Sequence, residues 1–110
     1  MTNMNEYQEL ASKTNIYPNT TDGFYAQALG LCSESGEVAG KIKKVIRDSK
    51  GNISSGAKEQ IKSELGDVLW YVSQCANALG LSLGEVAEHN IRKLSDRNKR
   101  NKIGGSGDER

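Results

Sequence analysis

With 110 residues, 35% hydrophobic side chains and 5% aromatics, the chain has room for one domain with a thin core. Fifteen Lys and Arg against fourteen Asp and Glu leave a formal charge of +1, without the basic excess of a broad nucleic-acid binder. The opening MTNMNEYQEL has no apolar signal core and no stretch approaches the ~18 apolar residues of a membrane span, so a cytoplasmic protein with neither nucleic-acid nor membrane partners is expected.

In chain order, Asn5 to Lys13 reads as a short helix, ended by the turn-prone stretch from Asn15 to Thr21 around Pro18. A second helix is expected from Asp22, whose side chain can cap it, to about Arg47; Leu31, Val38, Ile42, Val45 and Ile46 recur along it at helical spacing. Two glycines and three serines between Asp48 and Gly56 mark a loop. A third helix follows from about Ala57 to Leu79, with Ile61, Leu65, Val68, Leu69, Val72 and Ala76 on its apolar stripe and Gly80 at its C-terminal stop. Ser82-Leu83-Gly84-Glu85 is a capping box that opens a fourth helix reaching about Lys99. No useful run alternates apolar and polar residues, so the expectation is an all-α, four-helix, bundle-like domain over residues 1–103 with a flexible tail over 104–110. A core this thin is expected to be completed across a subunit interface. Cys32 and Cys75 form no CxxC pair and are expected to be reduced, buried thiols.

One pattern, E-x-G-[E/D]-V, occurs twice: Glu34-Ser35-Gly36-Glu37-Val38 and Glu64-Leu65-Gly66-Asp67-Val68. Residues three apart on a helix are neighbours, so each copy sets two carboxylates on one face. If the second and third helices form an antiparallel hairpin, the ~1.5 Å rise per residue brings both pairs to one level. Four converging carboxylates repel unless a cation lies between them, and hard oxygen ligands suit Mg²⁺, or Mn²⁺. The competing reading is a solvated acidic face. Glycine inside a helix costs about 1 kcal/mol relative to alanine, so Gly36 and Gly66 are expected to let another helix approach behind the site.

Asn90, Lys93 and Arg97 share one face of the fourth helix and suit a polyphosphate, although an ordinary exposed basic face would look the same. Lys41 and Lys44, beyond Glu37, are further cation candidates. Tyr71, four residues after Asp67, can stack on a nucleobase, whereas Trp70 reads as core. The single histidine, His89, has no partner for a triad or a zinc site, and no G-x-x-x-x-G-K-[ST] loop is present.

With these residues in place, the chain resembles the MazG-type all-α nucleoside triphosphate pyrophosphohydrolases, above all the small single-domain bacterial and phage forms. The family pattern E-E-x-x-E, spacer, E-x-x-D is matched by Ser33-Glu34-Ser35-Gly36-Glu37, 26 intervening residues, and Glu64-Leu65-Gly66-Asp67. Tyr7-Gln8-Glu9-Leu10-Ala11, Leu29-Gly30-Leu31 and Asp67-Val68-Leu69-Trp70-Tyr71 also match, and the segment from Asn90 to Arg97 is similar to the family's N-x-x-K-x-x-x-R element. The resemblance implies Mg²⁺-dependent hydrolysis of a (d)NTP to a monophosphate and pyrophosphate. It assigns Glu34, Glu37, Glu64 and Asp67 to the metal, Lys93 and Arg97 to phosphates, and Asn90 and Tyr71 to the nucleotide. It further implies a homodimer or homotetramer with sites shared between subunits. Ser33 replaces the first glutamate of the E-E pair, which leaves Glu34 or Glu37 as the expected general base. A narrower dUTP or dCTP diphosphatase, a phosphoribosyl-ATP pyrophosphohydrolase and a non-catalytic helical interaction module are the alternatives.

Overall fold

Each helix of the chain begins at a residue whose side chain satisfies a backbone N–H that the first turn leaves unpaired. In a computed structural model describing residues 2–110, these are α1 (Met4–Ser12), α2 (Thr21–Ser49), α3 (Ser55–Ala78) and α4 (Leu83–Lys99). The caps are Asn3, Thr20, Ser54 and Ser82, each accepting from the N–H three residues on at 2.9–3.1 Å. Each such cap stabilises its helix by about 1 kcal/mol. Two of the starts differ from the sequence expectation. Thr20, not Asp22, caps α2, and Asp22 lies in the first turn, where its charge favours the helix dipole. Ser54 starts α3 three residues before Ala57. The capping serine at Ser82 and the stop at Gly80 agree with expectation. Gly80, at φ 71°, donates to Asn77 O (3.0 Å) and Leu81 to Ala76 O (2.9 Å), the paired bonds of a glycine-terminated helix.

The described residues form no strand. α2 and α3 make a helical hairpin through a tight connection in which Lys50 and Gly51 both take positive φ. α1 packs on α3 and α4, and α4 packs on α3 and α1; α4 does not reach α2. The four helices therefore leave one long side of the hairpin bare instead of closing a bundle. The interior is more polar than apolar: Ala11, Val45, Ala76 and Leu83 are buried, alongside Gln8, Gln27, Ser73, Gln74 and Arg97. Gln8 joins three elements, donating to Leu81 O (3.0 Å) and Ser73 O (3.3 Å) and accepting from Leu83 N (2.8 Å). Residues 104–110 fold back along α4, with Arg97 Nη2 donating to Asp108 O (2.6 Å) and Arg100 Nη2 to Arg110 O (2.7 Å). No helix among the described residues is long and apolar enough to cross a membrane. Cys75 is half-buried, its thiol pKa raised by burial, but Cys32 is exposed; both are free, so the expectation of two buried thiols holds for neither in full.

Candidate active site

The two acidic patterns face each other across the α2–α3 hairpin. Glu34 from α2 and Glu64 and Asp67 from α3 each place one carboxylate oxygen within 4.8 Å of the other two. Glu37 does not join them; it is exposed. Three residues turn a helix by about 300°, so Glu37 lies about 60° around α2 from Glu34, and the axial rotation of α2 turns Glu34 inward. Lys41, a turn further on, has its ammonium 4.0 Å from Glu64. Ser33, at the position of the family's first glutamate, is exposed.

The electrostatics record the crowding. The Glu34 carboxyl is raised above its ordinary range by burial first, then by the negative charges of Asp67, Glu64 and Glu37. A half-buried carboxylate that faces two others at this spacing fits a hard divalent cation, the group that removes the repulsion and accepts oxygen ligands. Asp67 also reaches the phenols: the Tyr7 hydroxyl is raised by burial and then by Asp67. Tyr71 is pushed up to about 12, chiefly by its hydrogen bond to Tyr17, then by burial and by the nearby negative charge. Both remain neutral hydroxyls at physiological pH.

The carboxylates open into a pocket of about 320 Å³ lined by Thr14, Glu34, Asp67, Trp70 and Tyr71. Trp70, expected in the core, is half-buried and forms part of this wall; its indole N–H donates to Thr14 Oγ1 (2.8 Å). The Trp70 and Tyr71 rings meet edge to face at 4.9 Å, with Tyr17 6.3 Å from each. Gly30 makes this possible. A Cβ there would lie 2.5 Å from Tyr71 Cζ, so only glycine lets the ring sit against the backbone of α2. The Cβ positions of Gly36 and Gly66 meet nothing within 4 Å, so no helix of this chain approaches behind the acids as expected.

The α4 candidates lie elsewhere. Asn90 is exposed, Lys93 is half-exposed and Arg97 is buried against the C-terminal residues; none lines the carboxylate pocket. Sequence reading did not anticipate Thr14 or Tyr17, which sit in the irregular connection between α1 and α2, where no periodicity gives a side chain's direction.

Residues 24–101, which hold both acidic patterns and most of the aromatic wall, match the MazG nucleotide pyrophosphohydrolase domain. The chain belongs to that family. It is also similar to the gene 37 protein of Mycobacterium phage L5, 44% identical over 109 residues that cover 94% of this chain and 96% of that one. No solved structure matches. The matched segment contains α3, α4 and all of α2 except its first three residues, and so holds Glu34, Glu64 and Asp67, while α1, which supplies Tyr7 and leads to Thr14, precedes it.

Proposed function

We propose that this chain is a divalent-metal-dependent pyrophosphohydrolase that cuts a (d)NTP between its α- and β-phosphates, releasing the monophosphate and pyrophosphate. The observation that carries this reading is the convergence of Glu34, Glu64 and Asp67 beside an aromatic-walled pocket in a MazG-family chain. Those three carboxylates would hold Mg²⁺, with Mn²⁺ as the substitute. When bound, the ion supplies charge neutralisation for the polyphosphate and makes a nearby water more acidic. Glu37, exposed beside the cluster, can swing in as a fourth ligand or accept the proton of the attacking water; side-chain rotation of this kind is fast compared with turnover. Glu34 shares the base assignment, because it stands at the centre of the cluster beside the position the attacking water would take. The Lys41 ammonium helps fix the Glu64 carboxylate. Tyr71 meets the nucleoside portion at the pocket wall.

Asn90, Lys93 and Arg97 remain the proposed polyphosphate ligands, but α4 does not reach α2 within one chain. Lys93 and Asn90 would then act from the α4 of a neighbouring subunit in a homodimer or homotetramer. Arg97 can join them only after it leaves its bond to Asp108.

The test is incubation with a panel of (d)NTPs and Mg²⁺, followed by separation of the products. Monophosphate with pyrophosphate is expected; diphosphate with phosphate would mean that a different bond breaks. Glu64→Gln is expected to lower turnover by roughly 100-fold or more and to abolish stabilisation by Mg²⁺ in a thermal melt. Full activity in that variant would refute the metal assignment.

A further inference from the structure

A second hollow adjoins the carboxylate pocket and differs from it in chemistry. It has a volume of about 350 Å³ and lies between the α1–α2 connection, the first turns of α2 and the C-terminal end of α3. Five carboxamides line it: Asn15, Asn19, Gln27, Gln74 and Asn77. None of its lining residues carries a charge, so it offers nothing to a phosphate or a metal ion. Its volume lies at the low end of small-ligand sites, about 300–1,000 Å³, and suits one ring system better than a whole nucleotide.

The amides are held in fixed orientations. Asn15 Nδ2 donates to Gln27 Oε1 (3.1 Å) and to Gln74 Oε1 (3.0 Å), and Asn77 Nδ2 donates to the same Gln74 oxygen (3.1 Å). Gln27 Nε2 donates to Gly23 O (3.0 Å) and Gln74 Nε2 to Ser73 Oγ (3.0 Å). Gln74 and Gln27 are 1% and 4% exposed, so these bonds form out of water and are costly to break. The outer wall is equally constrained. Asn15 Oδ1 accepts from Tyr17 N (2.9 Å), and Thr20 N donates to Pro18 O (2.9 Å). Asn77, exposed at the mouth of the hollow, spends one N–H on Gln74 and keeps its Oδ1 and its second N–H for a ligand, while the buried glutamines hold the amide cluster behind it in place. The free groups are thus both donors and acceptors, the complement of a heterocycle edge that carries carbonyl and amino groups side by side.

Two tyrosines join this hollow to the acids. Tyr17 lines the amide hollow, Tyr71 lines the carboxylate pocket, and their hydroxyls are 3.0 Å apart. A ligand that is charged at one end and flat and neutral at the other matches the pair of hollows in that order.

We propose that the amide hollow receives the nucleobase of the substrate, with Asn77 reading its hydrogen-bonding edge and the buried Gln27 and Gln74 fixing the amide cluster that positions it, and that it sets base selectivity. This assignment rests on the hydrolysis proposed above and adds to it the site where the base is read. Fixed amides that lose partners when the wrong base enters discriminate far more strongly than an apolar slot.

The test uses the ¹⁵N-labelled full chain with Mg²⁺ and α,β-methylene analogues of the four dNTPs, with tripolyphosphate as the base-free control. The side-chain amide signals of Asn15, Gln27, Gln74 and Asn77 are expected to move with at least one nucleotide analogue and not with tripolyphosphate. In parallel, Asn77→Asp, at the exposed rim where folding is least at risk, is expected to change the kcat/KM ratio between the best and poorest base at least tenfold. Amide signals that stay still, or a ratio that moves less than twofold, would overturn the assignment while cleavage of (d)NTPs left the proposed reaction standing. Amides that respond in a protein releasing no pyrophosphate would overturn the reaction and leave a nucleoside-binding hollow.

Discussion

Glu34 is the residue on which the electrostatics of the carboxylate cluster turn. Its proton affinity is raised in the folded chain, so the metal-free folded state holds a proton that the unfolded chain has already released at the same pH. Metal-free stability from this group is therefore greatest below the ordinary glutamate value of 4.5 and falls as pH rises through the window that opens there. Mg²⁺ should cancel the loss, since a cation among the three carboxylates favours their charged forms. Melts recorded in chelator across pH, for wild type and Glu34→Gln, isolate the effect as a difference. The wild type should lose melting temperature relative to the variant as pH rises, and only the wild type should regain it fully with Mg²⁺. Parallel curves in chelator would remove the crowding argument. The sequence made this residue visible through the E-x-G-E spacing. It did not show that Glu34 and not Glu37 turns inward, because the spacing fixes two positions relative to each other and leaves the rotation of the helix about its axis open.

At the scale of the element, α2 carries interior glycines whose roles the structure separates. Gly30 admits the ring of Tyr71, whereas Gly36 and Gly40 face open space within one chain. Gly30→Ala forces the aromatic wall or α2 to shift, a change that costs about 1–3 kcal/mol and displaces Tyr71 from the pocket. Gly36→Ala removes only the helix penalty of glycine and should stabilise an isolated chain by up to about 1 kcal/mol. Chemical denaturation of the two variants checks the contrast; equal effects would show that the Tyr71 packing is not as described. Helix existence and order were legible because the apolar positions recur at helical spacing, and the Gly80 stop and Ser82 cap are local chemistry. The sequence alone leaves the α2 cap open because Thr20 and Asp22 are both competent caps, and the loop geometry around Pro18 selects Thr20. The amide hollow was illegible for a different reason. Asn15 is 12 residues from Gln27 and 59 from Gln74, and no local pattern links amides that only tertiary packing brings together.

The whole molecule is too open for its mass. A folded monomer of 12.0 kDa is expected to expose about 6,000 Å², yet this chain exposes 8041 Å². Its radius of gyration is 16.6 Å against about 13 Å for a compact chain of this length. Part of the excess is apolar surface on the two hairpin helices, where Leu29, Ile46 and Leu65 are 71%, 66% and 53% exposed. Apolar area of that extent would be a liability on a monomer, and its burial is worth roughly 25 cal/mol per Å². Association of like chains through this face would bury it, would cover the open positions beside Gly36 and Gly66, and would let the α4 of one subunit approach the acids of another. Sedimentation equilibrium should therefore give a mass of two or four chains. Leu65→Asp, at an exposed apolar position next to Glu64, should shift the protein towards monomer, lower the melting temperature and remove its dependence on protein concentration. If the protein remains a monomer at the concentrations where it hydrolyses nucleotides, the phosphate ligands must come from within one chain. Lys41, 4.0 Å from Glu64, would then take the place assigned to Lys93.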